Sequence, residues 1–410
     1  MKIGLTTRTF YPESGGMQTH VEKLAKELES REHRVVVATR SVTHTPSFQD
    51  FFYFSESISQ TTIHDIDVHL LRHNKTLNAF MWVISKCIGR RYLKVIGIWL
   101  FQLVFTRQLV RAFENVDVVQ HIGQGHELIG FAAAKAAKKL DVPFLIQPLS
   151  HPGQWGDSPF DLLLYKKANL LLVNTSYERD KLQELGLNNP FSIVGCGVSE
   201  KLEGNADRFR KKYAVNNRII LFLGRKTSDK GYILLRETFS LIEGKVPNVT
   251  LVCMGPGKTF EEFKDPKNTE TPANVIEVGF APVQDKHDAL AACDLLCVPS
   301  EGESFGLVYM EAGLHRKPSV ARRLPVLEEL LERKEAILLD GTAYGEGNKV
   351  NLTHIELGNA VLKLLENPKL SKKIGQNAYQ VASDFVWSKV TSNFEEAYAK
   401  AISHYAKGTT

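Results

Sequence analysis

The sequence predicts an α/β protein of two domains, each with a parallel β-sheet covered by helices. Short apolar runs alternate along the chain with segments of helical period, which is the spacing of βαβ units. The order of strand, glycine-containing loop and helix that opens the chain also recurs from residue 219 onwards. A chain of 410 residues is too long for one ordinary domain and fits two domains of roughly 200 residues each.

The composition of the chain favours an ordinary globular protein over several other classes. Charged residues at 24% and hydrophobic residues at 43% are ordinary for a globular chain, and a net charge of +5 does not favour nucleic-acid binding. The five cysteines are scattered and have no paired histidines nearby, so we expect no metal site and a reducing, cytoplasmic environment. The amino terminus lacks the apolar segment of a signal peptide.

The first domain opens with a strand at 2–6, a loop at 8–16, a helix and a second strand at 35–38. Gly15 and Gly16 stand where that helix starts. Paired glycines there permit positive φ and let a ligand approach backbone amides, which attract phosphate, although a plain tight turn is an equal alternative. The pattern is not GxGxxG, so it does not indicate a nicotinamide cofactor.

Residues 76–112 are rich in aromatic, aliphatic and basic side chains, and no acidic residue occurs between Asp67 and Glu114. An apolar, basic helical segment can lie on an anionic membrane surface. The alternative is a buried pair of helices whose cations cover the rim of the core. The sequence leaves both open.

Alternation then resumes, with strands predicted at 116–119, 143–147, 170–173 and 191–194 and helices at 128–140 and 177–185. His151 follows the strand at 143–147. A histidine at the carboxyl end of a parallel strand faces the crevice where open α/β sheets bind ligands, although a lone loop histidine usually has no such role.

Residues 201–217 are polar without a clear period and are predicted to be a linker. The second domain, 218–387, is predicted to have strands at 219–223, 249–254, 275–278, 295–298, 319–321 and 336–339. Arg225 and Lys230 flank the loop after its first strand. Two fixed cations beside a helix N-terminus suit a diphosphate, and solvated surface charges are the alternative.

Two carboxylates follow the strand at 295–298. Glu303 lies at its carboxyl end, and Glu311 is placed about two turns along a helix predicted at 305–315. Ser300 and Glu303 have the spacing of a capping box, so Glu303 could simply cap that helix. Cations for phosphates and carboxylates for hydroxyl groups, at one sheet edge, together suit a nucleotide-sugar.

These residues resemble those of the retaining glycosyltransferases of family 4, which have the GT-B fold. The resemblance covers nearly the whole chain and is carried by YPESGGMQTHVEKLAKEL, GRKTSDKG, CDLLCVPSEGESFGLVYMEA and FVWSKV. It implies two Rossmann-like domains whose parallel sheets face across a cleft, the first being 1–200. It also implies a C-terminal helix, 388–407, that crosses back to the first domain.

The resemblance also implies roles for the charged residues. Arg225 and Lys230 would hold the diphosphate of the donor, helped by the backbone at Gly16. Glu311 would bind ribose hydroxyl groups, and Glu303 would face the transferred sugar. The acceptor hydroxyl would attack on the face that the nucleoside diphosphate leaves, which retains the anomeric configuration.

The same resemblance assigns the amides of Phe305, Gly306 and Leu307 to sugar hydroxyl groups or phosphate, and His151 to the sugar. The family needs no metal, which agrees with the absence of an Asp-x-Asp motif from this sequence.

Two stretches depart from the family pattern. His315 and Arg316 stand where a small residue and glycine are usual, and Arg322 and Arg323 stand where paired glycines are usual. Because glycines permit close backbone approach, the pocket floor either carries extra positive charge or binds the donor poorly.

We expect a glycosyltransferase that uses a UDP- or GDP-sugar as donor and needs no cofactor. Its acceptor hydroxyl would belong to a lipid-linked or cell-surface polysaccharide precursor, with peripheral contact of 76–112 at the inner face of the membrane. The alternatives are a non-catalytic homologue that binds nucleotide-sugar or a partner, and another GT-B enzyme such as a hydrolase or epimerase.

Overall fold

The computed structural model describes residues 1–11, 16–42, 59–90, 92–199, 203–263, 274–331, 334–341 and 352–408. The chain folds into two compact units. The first is Met1–Gly197 with Trp387–Thr410, and the second is Val198–Val386. Each unit is built on a mainly parallel sheet, which confirms the predicted fold class.

In the described part of the first unit, the sheet has eight strands in the order β3-β4-β2-β1-β5-β6-β7-β8. All neighbours are parallel except β3 and β4, which are antiparallel. The strands are β1 (Lys2–Thr6), β2 (Arg34–Thr39), β3 (Gln60–Ile63), β4 (Ile66–Leu70), β5 (Val118–Ile122), β6 (Phe144–Gln147), β7 (Leu170–Val173) and β8 (Phe191–Ile193).

Helices cover this sheet and close its core. They are α1 (Gly16–Ser30), α2 (Asn78–Ile88), α3 (Lys94–Ala112), α4 (Ile129–Leu140), α5 (Pro159–Tyr165) and α6 (Ser176–Glu184). Strands β5, β6 and β7 are buried along their whole length, which is why β6 and β7 are nearly continuous apolar runs in the sequence.

The sheet of the second unit has six parallel strands within the described residues, in the order β11-β10-β9-β12-β13-β14. They are β9 (Arg218–Leu223), β10 (Val249–Met254), β11 (Val275–Val278), β12 (Leu295–Val298), β13 (Ser319–Arg322) and β14 (Ile337–Leu339). The helices are α7 (Ala206–Tyr213), α8 (Tyr232–Lys245), α9 (Phe260–Phe263), α10 (Val283–Ala292), α11 (Leu307–Leu314), α12 (Pro325–Leu330), α13 (His354–Glu366) and α14 (Pro368–Ala382).

The segment predicted as a linker contains helix α7, which is part of the second unit. It buries a single side chain, Phe209, so the sequence carries no apolar period for it. Arg208 on this helix pairs with the buried carboxylate of Asp288 on α10, with 2.6 Å between Nη2 and Oδ1.

The last helix, α15 (Trp387–Gly408), belongs to the first unit, as the family resemblance implies. Trp387 is buried against Gly197, where a Cβ atom would lie 2.2 Å from the indole ring. Asn393 Nδ2 donates to the carbonyl oxygen of Val194 at 3.2 Å, and the Tyr398 hydroxyl donates to Gln120 on β5. The helix is thereby fixed to the sheet of this unit.

Candidate functional site

The loop after β9 is held against the end of β12. It forms a short 3-10 turn at Ser228–Lys230 and enters α8 through Gly231, which has φ of +73°. A Cβ atom at Gly231 would lie 2.4 Å from the carbonyl oxygen of Pro299. Only glycine therefore permits both the left-handed conformation and this close approach.

The approach brings Lys230 and Glu303 together. Lys230 Nζ donates to Glu303 Oε1 at 2.8 Å and to the carbonyl oxygen of Gly302 at 3.3 Å. The backbone N–H of Glu301 donates to the carbonyl oxygen of Asp229 at 2.8 Å, which joins the two loops. Both side chains of the ion pair are largely buried. The structure thus places one predicted cation beside one predicted carboxylate.

The capping-box alternative for Glu303 is wrong. Ser300 Oγ donates to the carbonyl oxygen of Gly302 at 2.9 Å, and helix α11 begins only at Leu307. Gly306 precedes that helix with φ of +84°, and a Cβ there would lie 2.8 Å from the side chains of Leu327 and Tyr309. The predicted start at residue 305 is two residues early, because Gly306 breaks the helical conformation.

Helix α11 begins at Leu307 with backbone donors that have no acceptor within the helix. The first amides of a helix have no acceptor within it, so those of Leu307 and Val308 are available to an anion or hydroxyl group. Phe305 is buried, with its ring centroid 5.0 Å from that of Phe385. This packing fixes the turn that aims the amides.

Glu311 lies in the middle of α11 and pairs with a lysine that the sequence did not indicate. Lys286 Nζ on α10 donates to Glu311 Oε1 at 2.6 Å. One turn further, His315 Nε2 lies 3.0 Å from His287 Nδ1. Burial, with His287 adding to it, lowers the pKa of His315 to about 4. Glu311 is thus held by a cation of its own, distinct from the partner of Glu303.

The two cations nearest the start of the loop after β9 differ sharply. Arg225 is 56% exposed, and its Nη2 lies 3.7 Å from Asp229 Oδ2. Lys226 is only 2% exposed, and its Nζ lies 2.7 Å from Glu277 Oε2 on β11. Arg225 is therefore accessible to a ligand, whereas Lys226 has a structural role in the sheet.

The stretches that depart from the family pattern are accommodated in different ways. Arg316 takes φ of +55°, a conformation usual for glycine, and its guanidinium lies 4.0 Å from the ring centroid of Tyr379. Arg323 Nη1 pairs with Glu328 at 3.0 Å, and Nη2 donates to the carbonyl oxygen of Leu338 at 3.1 Å. Arg322, by contrast, is buried at the end of β13.

The remaining predicted residues belong to the first unit. His151 lies in a tight turn after β6, where its N–H donates to the carbonyl oxygen of Trp155 at 2.9 Å and the two rings are 3.9 Å apart. Gly16 is the first residue of α1, and no atom of the described residues lies within 4 Å of the position that a Cβ there would take. Gly15 lies outside the described residues.

A buried carboxylate that the sequence did not reveal holds the turn of His151. Glu178 on α6 accepts from Ser150 Oγ at 2.7 Å and from the N–H groups of Ser150 and Asn174 at 2.9 and 2.8 Å. Burial raises the pKa of Glu178, and these hydrogen bonds oppose the shift. In the sequence, the only indication of this role was a glutamate in the first turn of a helix, and glutamates are common at that position.

A second buried polar cluster lies at the carboxyl ends of β1 and β5. Thr6 Oγ1 lies 2.9 Å from His121 Nδ1, and His121 Nε2 lies 3.8 Å from Glu127 Oε2. Burial lowers the pKa of His121 to about 3 and raises that of Glu127 to about 7. Both groups are thus held towards their neutral forms. The sequence indicated this cluster only by placing two polar residues, Gln120 and His121, within a strand that is otherwise apolar.

In the ranges that the structure describes, no group of three or more His, Cys, Asp or Glu side chains has an arrangement that could hold a metal ion.

Comparison with solved structures shows which fold this chain has. HepE of Anabaena, solved with UDP-glucose, matches with a TM-score of 0.71 and 19% identity over 98% of this chain and 100% of that one. Sucrose-phosphate synthase of Thermosynechococcus elongatus matches with a TM-score of 0.71 and 15% identity over 98% and 99%. The fold is therefore that of the GT-B glycosyltransferases.

Sequence comparisons identify the family. Residues 14–202 match Glycosyltransferase Family 4, and residues 205–381 match Glycosyl transferases group 1. An uncharacterized glycosyltransferase of Methanocaldococcus jannaschii is 22% identical over 97% of this chain and 98% of its own. D-inositol 3-phosphate glycosyltransferase of Corynebacterium diphtheriae is 26% identical over 58% of this chain and 57% of its own. The chain belongs to the family 4 type of glycosyltransferases, and it is a glycosyltransferase enzyme.

Proposed function

We propose that this glycosyltransferase moves a sugar from a UDP- or GDP-sugar to an acceptor hydroxyl with retention of the anomeric configuration. The observation that carries the donor assignment is the ion pair of Lys230 and Glu303, at the neighbouring carboxyl ends of β9 and β12. This edge of an open parallel sheet is where such folds bind ligands. The UDP-glucose complex of HepE makes UDP-sugars the first donors to test.

The donor would be held by charge and by backbone amides. Lys230 and the exposed Arg225 would neutralise the diphosphate, while Glu303 accepts hydrogen bonds from the sugar. Glu311 would accept hydrogen bonds from the ribose, as the resemblance implies. The amides of Phe305, Gly306 and Leu307 would bind sugar hydroxyl groups or phosphate.

Reaction breaks the bond between the anomeric carbon and the diphosphate oxygen, and forms one to the acceptor oxygen on the same face. The acceptor proton passes to the departing phosphate oxygen. Negative charge grows on the leaving group as this bond breaks, so a fixed cation at Lys230 stabilises the transition state more than the ground state.

In the first unit, the resemblance assigns His151 to the transferred sugar and the Gly16 backbone to the diphosphate. Two observations support these assignments. The turn of His151 is fixed by the buried Glu178, and no described residue fills the space beside Gly16. Gly15 stays a prediction from the sequence.

We further propose that the acceptor is a lipid-linked or cell-surface polysaccharide precursor, and that segment 76–112 contacts the cytoplasmic face of a membrane. One face of α3 is buried in the core through Phe101, Phe105 and Leu109. The other face, with α2 and their connection, leaves large apolar side chains exposed: Trp82, Val83, Tyr92, Val95, Ile96, Trp99 and Leu103.

The buried face agrees with the alternative of helices packed on the core, and the exposed side chains support the proposal of membrane contact. The helices pack on the core, and an apolar strip among basic residues remains for a bilayer surface. Of the helices that the structure describes, α3 is the one long and apolar enough to cross a membrane by length and composition. Its buried face supports surface contact instead. All five cysteines are free and buried, which fits a reducing compartment.

A panel of UDP-, GDP- and ADP-sugars tests the donor assignment. We expect calorimetric binding of a UDP- or GDP-sugar, slow release of free sugar without acceptor, and no loss of that turnover in EDTA. NMR of the released sugar would report the anomer. If no nucleotide-sugar binds, the proposed function is wrong; if EDTA abolishes turnover, the metal-free part of it is wrong.

A further inference from the structure

Arg322 is the last residue of β13, next to β12 in the sheet of the second unit. Since the two strands are parallel, Arg322 ends at the same sheet edge as the loop that carries Glu303. Its side chain is buried, and the residue is 5% exposed. The adjacent Arg323 instead pairs with Glu328 and Asp340.

A buried guanidinium without a partner is costly, because its desolvation is not offset by an ion pair or hydrogen bonds. Arg322 Nε is buried and has no hydrogen-bond acceptor among the described residues. The Nε atoms of the buried Arg40 and Arg236 likewise have no hydrogen-bond acceptor among the described residues, but Arg236 lies 3.3 Å from Glu277 and Arg40 donates to the carbonyl oxygen of Leu71 at 2.5 Å. Of these three arginines, Arg322 is the one whose side chain makes no ion pair or hydrogen bond with the described residues.

The surroundings of Arg322 are shaped to hold its guanidinium. A Cβ atom at Gly341 would lie 2.7 Å from Arg322 Nη1, so glycine at that position leaves the room that the side chain occupies. Burial lowers the pKa of Arg322, and the nearby Glu301 carboxylate opposes that shift. Glu301 belongs to the loop that the Asp229 carbonyl oxygen anchors. A positive charge is therefore held beside the loop that carries Glu301 and Glu303.

We propose that Arg322 is a further anion-binding residue of the donor site, contacting a pair of oxygen atoms on a negatively charged group of the donor. The planar guanidinium suits a phosphate of the diphosphate or the carboxylate of an acidic sugar equally. This inference rests on the proposed function. It explains why arginine stands at position 322, where the family pattern usually has glycine, by a role in binding the donor.

Calorimetry with the wild type, Arg322→Ser and the control Arg323→Ser tests this inference. The ligands are UDP, UDP-glucose and UDP-glucuronate, or the GDP equivalents if the panel selects guanosine. If Arg322 binds the diphosphate, Arg322→Ser should weaken all three about 10- to 100-fold, as expected for a charge-assisted hydrogen bond. If it binds a sugar carboxylate, only the acidic donor should weaken. Arg323→Ser should bind all three like the wild type.

The outcomes separate this inference from the function on which it rests. If the wild type binds donor and Arg322→Ser binds all three ligands with unchanged affinity, the role of Arg322 is overturned and the proposed function stands. A wild type that binds no donor overturns both. Should Arg322→Ser fail to fold by circular dichroism, Arg322→Lys keeps the charge but loses the planar pair of donors. Undiminished affinity of that variant would count against the inference.

Discussion

Lys230 is the residue on which the proposed donor site depends most. Its Nζ lies 2.8 Å from Glu303, in a largely buried position where electrostatic interactions are stronger than in water. Lys230→Ala removes a cation that we assign to the leaving group and takes away the lysine partner of Glu303. We expect kcat to fall about 10²- to 10³-fold, the usual cost of losing one preorganised donor.

The control for Lys230 must be chosen from the structure. Lys226, four residues earlier, is buried and bonded to Glu277, so its replacement would test stability. Lys212 makes a comparable pair with Asp285 at 2.5 Å but is 51% exposed on α7. Lys212→Ala should keep activity within a few-fold of the wild type. Equal losses in kcat for Lys230→Ala and Lys212→Ala would remove the diphosphate role of Lys230.

At the scale of residues, the sequence predicted candidate site residues that follow strand ends, and it missed contacts between side chains that are distant in sequence. Lys230 and Glu303 follow strand ends, so the parallel-sheet rule predicted a shared edge. Lys286 as partner of Glu311, and Glu178 beneath Ser150, come from helices whose register against their neighbours is not encoded in spacing. Burial of Arg322 likewise depends on the open position at Gly341.

Among the elements, the pair of helices α2 and α3 carries the membrane proposal. Trp82 and Trp99 are both about half exposed on it, and amphipathic aromatic rings favour the interface of a bilayer. We expect the protein to sediment with vesicles of phosphatidylglycerol and phosphatidylcholine at low salt. Binding should weaken with pure phosphatidylcholine, and also as salt rises, because the basic residues are attracted to anionic lipid.

Substitution of exposed tryptophans tests whether helices α2 and α3 make the contact with the vesicles. Trp82→Ser with Trp99→Ser should reduce vesicle binding several-fold, because each indole buries a large apolar area at the interface. Trp155 is 41% exposed elsewhere in the first unit, so Trp155→Ser is the matched control. No sedimentation of the wild type at low salt, or equal sedimentation of both variants, would contradict the proposal.

The strands were predicted more completely than the other elements, for a physical reason. Buried parallel strands such as β7, β10 and β12 are continuous apolar runs, and their predicted bounds match the structure. Strands β3 and β4 were missed because Gln60–Ile63 is polar at the sheet edge and Ile66–Leu70 alternates buried and half-buried residues. Such short segments resemble loops in composition.

For the whole molecule, the division into units follows the repeated opening of strand, loop and helix. The chain returns to the first unit at Trp387, so both ends of the sequence contribute to that unit. All four tryptophans, Trp82, Trp99, Trp155 and Trp387, belong to it. Tryptophan fluorescence therefore reports unfolding of the first unit alone.

Buried histidines should make the first unit sensitive to acid. Burial lowers the pKa of His20 and His73 to about 4 and that of His121 to about 3, so all three stay neutral when folded but bind protons below about 6.5 when unfolded. Protons then favour the unfolded state, and stability falls as pH drops from 6.5 towards 4. Glu127 has the opposite effect between pH 4.5 and 7, because burial raises its pKa to about 7.

Three histidines outweigh one glutamate, so we expect the free energy of unfolding of this unit to fall by about 3 kcal/mol between pH 7.5 and pH 5. Urea titrations followed by tryptophan fluorescence measure it. Glu127→Gln removes the opposing group, so its loss over the same range should be larger than that of the wild type by about 2 kcal/mol. A free energy that stays constant or rises on acidification, or a smaller loss in Glu127→Gln, would show that these groups do not control the stability of the first unit.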